Sequence, residues 1–331
     1  MTVTGPLADL RRVAADAGGP EDVVADAEGR VLTGLADGRI VRLTLSREGG
    51  LDRYEVVART GGRPLGLEPT ADGALLVCDA RRGLLRVDPD DGSVEVLADS
   101  VDGVPLRFCS NVTAASDGTV YFTVSSRLYA LEDWAGDIME RSATGQLLRL
   151  RPGGEPEVLL DGLHFANGVA LSADESFVAF AETGAYRVGR YWLTGPAAGR
   201  RDTLVDELPG FPDNMSRGPG GLFWIAVAGP REACIDLLHR ATSPAFRRAA
   251  WNAVKRFPPQ PRRTTGAVAV TAEGWIVHDL RRRRSPYRMI TSVCERDQHL
   301  IMGSLVERGV AVCRLPGRLA GQDHSRSTEV S

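Results

Sequence analysis

The chain contains no apolar run approaching the roughly 20 residues that a membrane-spanning helix requires. Its opening stretch, Met1 to Leu10, includes Asp9 and lacks the apolar core of a secretory signal, so a cytoplasmic protein is expected. No charge of one sign predominates. The 40 Lys and Arg stand against 43 Asp and Glu, a formal net charge of −3, which gives nucleic acid or an anionic membrane nothing to select. A small-molecule partner is expected instead, with no nucleic acid and no membrane. The five cysteines (Cys78, Cys109, Cys234, Cys294, Cys313) include no Cys-x-x-Cys pair, so zinc and dithiol signatures are absent and buried free thiols are expected. No Gly-x-Ser-x-Gly elbow marks a nucleophilic serine.

Helical periodicity is scarce as well. Runs of alternating β-branched and apolar residues are instead punctuated by Asp37-Gly38, Asp72-Gly73, Asp91-Gly92, Asp117-Gly118 and Glu273-Gly274, which is hairpin grammar. A self-similar strand start recurs at Gly19-Pro20-Glu21, Pro64-Leu65-Gly66, Ser110-Asn111, Ala166-Asn167-Gly168, Pro212-Asp213-Asn214 and Thr265-Gly266-Ala267. These starts lie about 45 to 56 residues apart, the length of a four-stranded propeller blade. A sandwich or jelly roll would not sustain so even a period. The expectation is an all-β chain: one six-bladed β-propeller over residues 1–316, followed by a polar, disordered tail at 317–331. Residues 232–263 break the pattern, with Leu237, Leu238, Ala245, Ala249, Trp251 and Val254 at rough helical spacing before Pro258, Pro259 and Pro261. One helix or two short ones are expected there, inserted in the fifth blade, either as a lid over the channel or as a surface elaboration.

In a propeller the innermost strands line the axis, so residues at one repeat position converge. That position carries Glu21, Asn111, Asn167 and Asp213, with Asp22 and Asn214 beside them. Carboxylates crowded in a low-dielectric channel repel and take up protons unless a cation lies between them, and amide oxygens complete the shell of a hard metal. An all-oxygen set favours Ca²⁺, with Mg²⁺, Mn²⁺ or Zn²⁺ as alternatives. Asp213 would serve as ligand and either as general base or as the group that positions the attacking water. Histidine does not recur at the position, although His164 stands three residues before Asn167 and could reach the channel rim. Arg281 to Arg284 read as a solvated turn or an anion-binding rim, and Phe211, Phe223, Trp224, Tyr191 and Trp192 as blade packing.

At these residues the chain resembles the strictosidine synthase-like proteins and, more distantly, the gluconolactonase/regucalcin and paraoxonase families. The stretches that carry the resemblance are Gly19-Pro20-Glu21-Asp22, Phe165 to Leu193, Gly210 to Trp224 and Ser285 to Leu305. It implies a six-bladed propeller with an axial Ca²⁺ or similar ion, the ligand roles falling on Glu21, Asn167 and Asp213. An Asn-Asp pair of the lactonase relatives is replaced by Ser110-Asn111, so Asn111 substitutes or the site has one ligand fewer. The catalytic glutamate of true synthases would fall near Arg288, yet Tyr287 to Val293 contains no carboxylate, and Glu295 is read at a turn beyond. The paraoxonase histidine pair has no match. The leading expectation is a metal-dependent lactonase or esterase; the alternatives are a binding propeller with a structural ion and a condensing synthase.

Overall fold

The computed structural model describes residues 2–7, 9–14, 18–257 and 260–316; the tail at 317–331 lies outside them, as do Pro258 and Pro259. Six blades, each built on four antiparallel strands, follow one another around an axis. The first five occupy residues 23–59, 64–98, 109–163, 166–205 and 210–283, and the sixth begins at residue 290. In each the chain enters on the innermost strand and works outward. Second strands such as Leu75–Asp79, Val120–Val124 and Phe177–Glu182 are buried at every residue, because neighbouring blades cover both their faces. Outer strands such as Val94–Ala98 are largely exposed or half-buried.

The core is divided among the blade interfaces. Phe177, Leu204, Phe223, Ile225 and Val268 pack between the fourth and fifth blades, and Trp224, Leu280, Ile290 and Met302 between the fifth and sixth. Phe223 and Trp224 thus pack blades as expected. The ring is closed by the beginning of the chain: Arg11–Ala14 pairs antiparallel with Gly309–Arg314 as the outer strand of the sixth blade. Val3–Gly5 adds a parallel edge strand to the fifth.

One expected blade boundary is corrected. Thr265-Gly266-Ala267 does not begin the sixth blade but lies in Thr264–Val270, paired with Phe223–Pro230 on one side and Ile276–Arg283 on the other. The insertion lengthens the connection inside the fifth blade to nearly a blade's worth of sequence, which imitated the period. The innermost strand of the sixth blade is Ile290–Arg296.

The insertion forms two helices, joined by a third that the sequence did not announce. Helix α1 (Trp134–Glu140) lies between the second and third strands of the third blade. Helices α2 (Ala233–Arg240) and α3 (Pro244–Arg256) occupy the same connection in the fifth. Ser243 caps α3 by accepting from the Phe246 N–H, with Pro244 in its first turn. Second-to-third connections fall at the end of the propeller where innermost strands begin, so all three helices meet at one mouth, here the upper one. Met139, Leu238 and Trp251 pack them together, with Tyr129 edge-on to Trp251 at 6.4 Å. Cys234 is exposed on α2, contrary to expectation; Cys78, Cys109 and Cys313 are buried. Among the described residues no helix is long and apolar enough to cross a membrane.

Candidate functional site

Each innermost strand carries a dipeptide at the upper mouth, or in the first blade is immediately preceded by one: Glu21-Asp22, Leu65-Gly66, Ser110-Asn111, Asn167-Gly168, Asp213-Asn214 and Thr291-Ser292. In the second to sixth blades the pairing register with the next strand slips at this dipeptide. A bulge adds local twist and re-aims side chains, which lets both residues of the pair serve the axis. Gly66 and Gly168 admit the close approach of neighbouring strands; a Cβ on Gly168 would lie 2.4 Å from the Met215 nitrogen.

The polar members form three hydrogen-bonded groups, and all are buried. Asp213 Oδ1 accepts from Asn167 Nδ2 at 2.6 Å, and Asn167 Oδ1 accepts from Ser110 Oγ at 3.2 Å. Thr183, from the fourth blade's upper connection, receives Asn167 Nδ2 at 3.3 Å and donates to the Pro212 carbonyl at 2.7 Å. Asn214 Nδ2 donates to both Glu21 oxygens at 3.1 and 3.2 Å. The third group is a brace. Asp22 accepts from the Val23 and Leu67 N–H groups at 2.8 Å each, from Ser292 Oγ and from Asn111 Nδ2. Asn111 Oδ1 in turn accepts from the Val169 N–H at 2.9 Å. Both ends of the Asn111 amide are therefore engaged in joining blades, and Ser110, its neighbour, meets the Asn167–Asp213 pair.

Burial dominates the electrostatics. It pushes the Asp213 carboxyl up to about 8, opposed by the bonds from Asn167 and the Asn214 N–H. Glu21 is held well above the usual carboxylate range by burial, then by Asp213 and Asp22, against the pull of Arg63 and Asn214. Burial also raises Asp22, opposed by its bonds to Ser292, Leu67, Val23 and Asn111. Arg63, itself buried, donates to the Gly19 carbonyl at 2.8 Å and is the positive group acting on Glu21. When ionised, these three carboxylates exceed the one guanidinium by two negative charges, which one divalent cation would offset. Asn214 Oδ1 is buried with no hydrogen-bond partner. Two carboxylates, the Asn167 amide and this orphaned oxygen make an oxygen-only donor set that fits a hard dication. Among the described residues no three His, Cys, Asp or Glu side chains form such a cluster, since amides complete this one.

An apolar roof covers the group. Leu65, Phe108, Phe165 and Phe211, which stand at or just before the dipeptides, pack with Ile138 and Trp134 of α1 and Ile235 of α2. Phe211 thus belongs to the roof, tilted at 45° against Tyr186 with ring centroids 4.8 Å apart, and not to blade packing. At its edge a cleft of about 330 Å³ is lined by His164, Tyr186, Arg187, Asp236, His239 and Arg141, among others. His164 donates its backbone N–H to Glu182 at 3.1 Å, and burial and then Arg141 lower its imidazole. Sequence reasoning missed Thr291-Ser292, Thr183 and Arg63. The first pair carried a signal: Ile290-Thr291-Ser292-Val293 repeats the apolar, polar, polar, Val order of Pro20-Glu21-Asp22-Val23. Glu295 lies within its strand, not at a turn, and accepts from Trp224 Nε1 at 2.7 Å.

Fold and site together define a six-bladed propeller with an acidic and amide-rich axial centre. The strictosidine synthase family model matches residues 110–196, and the strictosidine synthase-like N-terminal model matches residues 6–43. The adipocyte plasma membrane-associated protein of Mus musculus is 34% identical over 321 residues, covering 90% of this chain and 75% of its own. Strictosidine synthase-like 6 of Arabidopsis thaliana is 36% identical over 210 residues, covering 63% of this chain and 56% of that protein. This chain belongs to the strictosidine synthase-like family, and spans little more than half the length of that plant relative. Among solved structures, a gluconolactonase from Xanthomonas campestris superposes with a TM-score of 0.65 at 18% identity, covering 94% of this chain and 91% of its own. The calcium-binding regucalcin of Agrobacterium tumefaciens gives 0.63 at 14% identity, with 96% and 98% covered. Both share the fold.

Proposed function

We propose that the chain is a metal-dependent hydrolase of a lactone or ester, its ion, most simply Ca²⁺, held by Glu21, Asp213, Asn167 and Asn214. The observation that carries this reading is the buried Glu21 and Asp213 pair, each carboxyl bonded to an asparagine amide and raised by burial, with Arg63 the positive group acting on Glu21, beneath an apolar roof. The gluconolactonase and calcium-binding neighbours support it. A divalent cation there would supply Lewis acidity to a substrate carbonyl. Asn167, steadied by Ser110 and Thr183, fixes the orientation of the Asp213 carboxylate, which accepts a proton from the attacking water. The roof excludes bulk water and favours an apolar acyl or ring portion. A condensing synthase is disfavoured because Tyr287 to Val293 carries no acid and Glu295 is bonded to Trp224.

The test is hydrolysis of γ- and δ-lactones and aryl esters, with chelator and with single metals restored. Turnover that needs one metal and falls at least about a hundredfold in Asp213→Asn supports the proposal. The brace formed by Asp22, Asn111 and Ser292 favours a second reading, in which the ion only ties the blades. Absent turnover, with a melting temperature that drops on chelation, would establish that reading and exclude the hydrolase.

A further inference from the structure

The helical insertion is apolar on two sides. Inward, Leu238 and Trp251 are buried, with Ile235, Ala250 and Val254 packed against them. Outward, α2 exposes Ala233, Cys234 and Leu237, and α3 exposes Ala245, Phe246, Ala249 and Ala253. Leu237 is 68% exposed, Phe246 59%, and Phe257, the C-cap of α3, 83%. Phe246 and Phe257 stand about three helical turns apart and so share a side. A helix of a water-soluble surface would place polar residues there.

Charge is distributed just as unevenly. The segment from Arg231 to Arg263 carries eight Arg or Lys against two acids, a net +6 in a chain whose total is −3. Arg248 and Lys255 pair with Glu140 and Asp133 of the neighbouring α1 region, and Arg262 with Glu232, while Arg240 and Arg256 stand exposed beside the apolar stripe. The strand pairing of Thr264 with Arg283 brings Arg281 to Arg284 to the same mouth. Cations flanking protruding aliphatic and aromatic side chains are the chemistry of an interfacial helix on an anionic bilayer.

We infer that the outward face of α2 and α3 docks the propeller, upper mouth down, on a lipid surface bearing anionic headgroups. This departs from the expectation of no membrane partner, which rested on net charge and ignored its placement. The inference is independent of the catalytic proposal, since none of these residues touches the axial group. The protruding Leu and Phe favour lipid over nucleic acid, which would engage the arginines and leave the apolar stripe in water.

The experiment is co-sedimentation of the full chain with phosphatidylcholine vesicles containing or lacking phosphatidylserine, at low and high salt. Binding to the anionic vesicles is expected, weakened at least about tenfold in Leu237→Ser/Phe246→Ser/Phe257→Ser and weakened by salt. The three residues are exposed, so the variant should melt within about 2 °C of the parent. No binding to anionic vesicles at low salt would overturn the inference. So would full binding by a folded triple variant, salt-dependent binding to a DNA duplex that matches the vesicle affinity, or a self-association through the stripe that excludes vesicles.

Discussion

Glu68→Gln should make the protein more stable in alkali while leaving it unchanged in acid. Glu68 lies on the innermost strand of the second blade, where its Oε1 accepts only long bonds from Thr113 Oγ1 (3.3 Å) and the Ala114 N–H (3.4 Å). Burial pushes its carboxyl from 4.5 up to about 7, and Arg217 pulls back only weakly. The folded state therefore binds the proton more tightly than the unfolded chain. Its stabilising contribution is complete below pH 4.5 and is lost as pH rises through 7. At about 1.4 kcal/mol per unit, the full shift corresponds to about 3 kcal/mol, and residual exposure of the residue reduces this to about 2. Glutamine keeps an oxygen for Thr113 and Ala114 and cannot ionise. Melting curves of parent and variant across pH 4 to 9, with equal excess Ca²⁺, should coincide near pH 4 and separate by about 3 °C above pH 8. A separation independent of pH, or a variant less stable at high pH, would refute the assignment of a buried, proton-hungry Glu68.

Gly168→Ala should cost at least about 2 kcal/mol in denaturant unfolding and depress turnover. Its Cβ would meet backbone atoms of Met215, Asp213 and Asn214 at 2.4 to 2.7 Å and drive Asn167 from Asp213, whereas Gly154→Ala, with its nearest contact at 3.4 Å, should be silent in both assays. Trp224→Phe removes the 2.7 Å bond to the half-buried Glu295 and should lower unfolding free energy by about 2 kcal/mol; an unchanged midpoint would show the bond to be without net value. Asn214→Leu deletes both bonds to Glu21 and the orphaned oxygen, so Ca²⁺ titration followed by melting temperature should show affinity weakened about tenfold or more, and equal shifts in parent and variant would remove Asn214 from the site.

What the sequence by itself determined is local and periodic. Turns such as Asp117-Gly118 and Glu273-Gly274 are set by glycines at φ +83° and +91°, and strands by short β-branched and apolar runs between them, so blades could be counted from turn chemistry and period. Convergence follows from repetition alone: once Glu21, Asn167 and Asp213 hold equivalent places, any propeller brings them to the axis. The tertiary structure decided everything that depends on which distant strand meets which. Arg11–Ala14 has no feature that announces an outer strand of the last blade, because ring closure is a property of the whole sheet order. The division between the Asn167–Asp213 pair and the Asn111–Ser292 side of the brace accompanies bulges, which turn adjacent residues to different partners without altering the period. The sixth blade was misplaced because spacing cannot distinguish a new blade from a helical insertion of nearly equal length; strand pairing can. Arg63 entered for the same reason: its charge acts through Gly19 and Glu21, residues far from it in sequence that only the packed channel brings within reach.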